Sequence, residues 1–180
     1  MINSRLLTTS FVALCIGVGA AFALQTNDYV TATAQMKNLD GTSIGDAKLT
    51  ETPGGVLVHV RVEQMDPGKK AIHIHSKAHC TASSGFKSSK GHHGEAEGEH
   101  GLLNPQGPGT GDLGNIFVGT DGVGEMEFFK TGVSLTGQAL PLFDDNGSAI
   151  VIHANADDHI TQPIGGAGPR IACGMVILND

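Results

Sequence analysis

Short runs of alternating apolar and polar residues, each closed by a turn signal, constrain this chain more than any other feature. They are "DYVTATAQM", "GDAKLTE", "VLVHVRV", "AIHIH", "NIFVG", "GEMEFF", "AIVIHA" and "RIACGMVIL". A side-chain period of two is that of a β-strand with one face toward a core. Asp40-Gly41, Pro53-Gly54-Gly55, Pro67-Gly68, Asp121-Gly122 and Asn146-Gly147 punctuate the runs, and no stretch carries a helical apolar stripe. Such strands bury their apolar faces only against a second sheet or by closing on themselves. The expected fold is therefore all-β, an eight-stranded Greek-key β-sandwich or flattened barrel. At 180 residues the chain suits one domain with a core of its own.

Two connections break the rhythm, one from about Ser76 to Gly114 and one from about Ala154 to Pro169. Loops this long without structure of their own are usually functional. Most of the histidines lie in them or at their mouths. In a strand, residues two apart share a face, so His73 and His75 present both imidazoles to one side while Ile72 and Ile74 pack on the other. Imidazole is the commonest metal ligand, and the pair makes half a site. His153 ends the run "AIVIH" at the second loop, and His92, His100 and Asp112 add candidates at spacings of eight and twelve.

Residues 1–23 have a basic start at Arg5, an apolar run and small residues at Ala21 and Ala23, the pattern of a secretory signal. The apolar run is shorter than the ~20 residues of a spanning helix. Residues 24–180 form the expected mature domain, exported to a periplasmic or secreted location. Cys80 and Cys173 are its only cysteines, an even pair suited to one disulfide in an oxidising compartment. The formal net charge is −7 at pH 7, one unit more negative without Arg5, and no basic patch is present. Nucleic acid and anionic membrane are thereby disfavoured as partners of the mature protein.

"HIH" followed by Cys80, then "HGLLNPQGP", "GDLGN", "VIHANADD" and "PIGGAGPRIACG", resemble in order the copper-zinc superoxide dismutase family in its bacterial exported branch. The resemblance implies His73, His75, His92 and His153 as copper ligands. His92 would also bridge to a zinc held with His100 and Asp112, and would carry a proton. It implies Asp157 as the carboxylate linking the two metal sites, Arg170 as the active-site arginine, and a Cys80–Cys173 disulfide. The implied activity is disproportionation of superoxide to dioxygen and hydrogen peroxide by one-electron cycling of a histidine-bound copper, in a monomer or homodimer. A periplasmic copper-storage protein on the same fold, without catalysis, is the alternative.

One departure bears on zinc. Related sequences carry a further zinc histidine three residues before the aspartate, within a pattern like "GPHxGD". This chain reads "GPGTGD", with Gly109 there. A structural zinc site takes four ligands. Zinc is then expected to bind weakly, to recruit His93 or one of Glu95, Glu97 and Glu99, or to be absent.

Overall fold

A computed structural model describes residues 29–94, 96–137 and 139–180. The signal-peptide segment 1–23 lies outside them. Eight strands form where the alternating runs lie: β1 Thr31–Asn38, β2 Ser43–Thr52, β3 Gly55–Val62, β4 Gly68–His75, β5 Asp112–Val118, β6 Gly124–Thr131, β7 Ala149–His153 and β8 Arg170–Leu178. They close into one barrel in the order β1-β2-β3-β6-β5-β4-β7-β8. Every pairing is antiparallel. The β3–β4 and β6–β7 connections each pass over two strands, which is the Greek-key feature. Closure leaves no open sheet edge.

The inward faces fill the barrel. Ile72 and Ile74 of β4 meet Ile150 and Ile152 of β7 in its core, each burial contributing about 1.5–3 kcal/mol. Yet β4 is buried at every position from Lys70 to His75 rather than at alternate ones. Its outer face is roofed by the loops, so His73 and His75 lie between barrel and loops. A second apolar cluster on that outer side, Phe86, Ala149, Val151 and Cys173, seats the first loop against β7 and β8.

Two points differ from the sequence-based expectation. Strand β5 begins at Asp112, so this residue lies on a strand, opposite His73 where the β4–β5 register shifts. A third long connection, residues 132–148, tucks Val133, Leu135 and Leu142 into the barrel core. The Leu135 N–H donates to the Glu51 carboxylate there. Its apolar residues are spaced by turn formers, which hid them from a search for strands.

Cys80 and Cys173 are joined by a disulfide across a sequence separation of 93. The bond ties the first loop to β8. Converting both cysteines to alanine is expected to lower unfolding free energy by about 2–5 kcal/mol, the range for removing a native crosslink. Equilibrium urea unfolding of the metal-free protein checks it, and an unchanged midpoint would assign the bond no stabilising role.

Candidate metal centre

Strand geometry delivers three imidazoles and loop geometry the rest. His73 and His75 face outward from β4, and His153 closes the neighbouring β7. Glycine lets the first loop return to β4: the Ile74 N–H donates to Gly111 O at 2.8 Å and the His93 N–H to Ile74 O at 2.9 Å. A Cβ on Gly111 would lie 2.6 Å from Ile74 O and 2.7 Å from the His92 Cβ. This approach sets His92 beside His75.

Four buried imidazoles, His73, His75, His92 and His153, thus offer ligand atoms within 4.8 Å of one another. A second group, His73, His100, Asp112 and Asp157, meets the same limit. His92 stands at their junction, its Nδ1 3.7 Å from Asp112 Oδ1.

Hydrogen bonds assign the protons. His75 Nδ1–H donates to Lys90 O at 2.8 Å, and His153 Nδ1–H to Gly168 O at 3.0 Å. A carbonyl accepts only, so each Nε2 is left with a lone pair. These two Nε2 atoms face each other at 3.4 Å. A proton is not what sits between them. Burial, then the nearby His92, lowers the affinity of His75 for a proton to a pKa of about 2. Burial, then His73, lowers that of His153 to about 3. Two lone pairs held together in a buried site fit a bound cation.

Asp157 aligns two more rings. His73 Nε2–H donates to its Oδ2 at 2.8 Å and His100 Nε2–H to its Oδ1 at 3.2 Å. Burial alone would raise the Asp157 pKa, but these imidazoles and the His159 N–H at 2.7 Å together hold it below the usual carboxylate range. His73 Nδ1 is then buried with no hydrogen-bond partner among the described residues. Across the site, His100 Nδ1 lies 2.7 Å from Asp112 Oδ1, an acceptor facing an acceptor. Asp112 Oδ2 is already engaged, by the N–H groups of Gly109 at 2.9 Å and Gly101 at 2.8 Å. Imidazole nitrogen and carboxylate oxygen suit copper and zinc.

Arg170 begins β8 opposite His153. Its Nη1 donates to Phe86 O at 2.8 Å and Ser89 Oγ at 3.2 Å, its Nη2 to Lys90 O at 2.6 Å. The carbonyl of Lys90 thus orients both Arg170 and His75.

His93 does not join either group. It is buried beside Leu140 and Asp144 in a separate cavity of about 380 Å³, with Lys77 and Lys90 on its wall. Glu97 is exposed, Glu99 accepts from the Ala96 N–H at 3.0 Å, and Glu95 lies outside the described residues. Sequence reasoning missed Asn115. Its Oδ1 accepts from the Asp157 N–H at 2.8 Å, and its Nδ2 donates to Asp157 O at 3.0 Å and to His159 Nε2 at 3.0 Å. It stands three residues past Asp112, in "GDLGN", as its one sequence signal.

The metal-free protein is expected to lose stability in acid. Unfolded imidazoles titrate near 6.5, whereas His73, His75 and His153 titrate lower when folded. Below that pH the unfolded chain binds more protons and is favoured. Asp157 acts in the same direction at lower pH, because its folded affinity for a proton is below the unfolded one. Thermal unfolding of metal-stripped protein across pH 8 to about 4 reads this; a flat profile would contradict it.

A Greek-key barrel with two adjoining groups of imidazole and carboxylate side chains that could each hold a metal ion, sharing His73 and with His92 beside Asp112, has the chemistry of a two-metal class of protein. The model of the copper/zinc superoxide dismutase (SODC) family matches residues 43–176, and the chain belongs to that family. The Cu-Zn superoxide dismutase of Caulobacter vibrioides is 46% identical, the match covering 81% of this chain and 85% of that protein. The second such enzyme of Aquifex aeolicus is 40% identical with the same coverage of 81% and 85%. The crystal structure of a SOD-like protein from Bacillus subtilis aligns at TM-score 0.74 and 34% identity, covering 81% of this chain and 97% of that one.

Proposed function

We propose that this protein disproportionates superoxide to dioxygen and hydrogen peroxide, with copper held by His73, His75, His92 and His153 and zinc by His92, His100 and Asp112. The observation that carries the copper assignment is the pair of Nε2 lone pairs of His75 and His153, 3.4 Å apart in a buried site. Copper supplies one-electron exchange with superoxide when bound there.

The residues do the remainder. His92 carries the proton: its Nδ1 faces Asp112, and its imidazole, within reach of His73, His75 and His153, takes a proton from solvent and passes it to the peroxide formed. Asp157 keeps the rings of His73 and His100 in one tautomer, which orients their Nδ1 atoms. Arg170 guides the anion. Three carbonyl and hydroxyl acceptors hold its guanidinium in one pose, and the rest of the fork is left to hydrogen-bond superoxide. A chain of net charge −7 repels an anion unless the approach is locally positive. A copper store would need neither the guanidinium nor a paired carboxylate. The disulfide supports export, with residues 1–23 as the leader and the periplasm or the outside as destination.

Metal analysis beside a superoxide-consumption assay tests this. Activity that is lost on chelation and restored by copper supports the reading; stoichiometric copper without consumption would favour storage. Arg170→Ala is expected to keep copper while slowing consumption about tenfold or more at low salt and flattening its salt dependence, because the guide charge is screened by ions. An unchanged rate would remove Arg170 from the mechanism.

A further inference from the structure

Along β6 the even-numbered residues turn inward, and Lys130 occupies the last inward position, only 6% exposed. Aliphatic residues normally fill such positions, since a buried ammonium is costly unless its protons are taken up. Lys130 Nζ donates to Gly109 O at 2.8 Å and to Asp112 O at 3.2 Å. Both carbonyls belong to the turn that carries Asp112 into the site, and Gly109 stands where the family resemblance implies a histidine. The turn is closed on itself as well: the Asp112 N–H donates to Gly109 O at 3.1 Å, and the N–H groups of Gly109 and Gly101 both donate to Asp112 Oδ2. Asp112 Oδ1 is thereby aimed at His100 Nδ1.

We propose that Lys130 is a positioning residue for the zinc ligands, an internal cation that grips the 101–112 loop from inside the barrel where a metal-bound imidazole at position 109 would otherwise anchor it. The proposal rests on reading His100 and Asp112 as zinc ligands. An imidazole at 109 would tether this turn only once metal had bound. The ammonium tethers it beforehand, through charge-assisted bonds stronger than neutral ones. With Gly109 in the turn, Asp112 and His100 therefore keep their geometry in the metal-free protein.

Hydrogen exchange of the Gly101 and Gly109 amides, read by NMR on the full-length metal-stripped protein, tests this. In the native sequence both amides are expected to be protected. Lys130→Met should speed their exchange about tenfold or more, leaving the β1–β2 amides unchanged. Lys130→Arg should restore protection by keeping the charge, and zinc added to the Lys130→Met protein should restore it by supplying another tether. Equal behaviour of the Met and Arg variants, or protection undiminished by Lys130→Met, would overturn the proposal. Should Lys130→Met fail to fold, the native protein decides alone: free exchange at Gly101 and Gly109 without metal overturns it. The readout needs no activity, so it succeeds or fails independently of the dismutase reading.

Discussion

His153→Ala is expected to lower copper affinity at least about a hundredfold, since even groups that only orient a ligand are worth about 10–100-fold. The ring is 1% exposed and its Nε2 faces that of His75. Alanine leaves three imidazoles, a void the size of the ring, and Gly168 O without its donor. The barrel core lies on the opposite face of β7, with Ile150 and Ile152, so the fold should persist. Metal analysis after dialysis against a chelator reads the loss, and circular dichroism reads the fold. Full copper stoichiometry in a folded variant would place the copper elsewhere.

Gly165→Ala is expected to disturb both groups at once. Gly165 has φ +60°, and a Cβ there would lie 1.8 Å from Asp157 Oδ1 and 2.8 Å from His100 Nε2. Asp157 would have to move, breaking its bonds to His73, His100 and the His159 N–H. The left-handed backbone adds about 1–2 kcal/mol for a residue with a Cβ. Gly166, at φ +69° with nothing within 4 Å of a built Cβ, isolates that backbone cost. Gly166→Ala should lose only about 1 kcal/mol and keep its metals. Gly165→Ala should lose several times as much, together with both metals. Matching melting temperatures and metal contents for the two variants would show that the position of Asp157 is not critical.

Much of the site was legible in sequence because its chemistry is local. The HIH spacing is a strand periodicity, and it places His73 and His75 on one face whatever surrounds them. His153 follows from the same pattern at the end of β7. The spacings His92–His100–Asp112 and the positions of Asp157, Arg170 and the cysteines were readable through resemblance. The eight strands were readable because closure requires each to show one apolar face.

What stayed illegible depends on residues far apart in the chain. Asn115 reaches Asp157 across 42 positions, and Lys130 reaches Gly109 across 21. Neither contact leaves a periodic trace, because a side chain meeting a distant backbone group imposes no pattern on its neighbours. Lys130 ends the inward-facing series on β6, where local pattern gives no reason for a charge; only the carbonyls brought there by barrel closure make it tolerable. Through the resemblance His92 held the bridging position, and the gap at Gly109 left His93 as one candidate to fill it. Tertiary structure removed that candidate: His92 pairs with His75 and lies within reach of His73 and His153, whereas His93 begins the turn that follows and lies in a cavity beside Leu140 and Asp144. By itself the sequence determined the strands, their apolar faces and the stock of ligands. The path of the loops over the barrel decided which ligands meet and which carbonyls orient them.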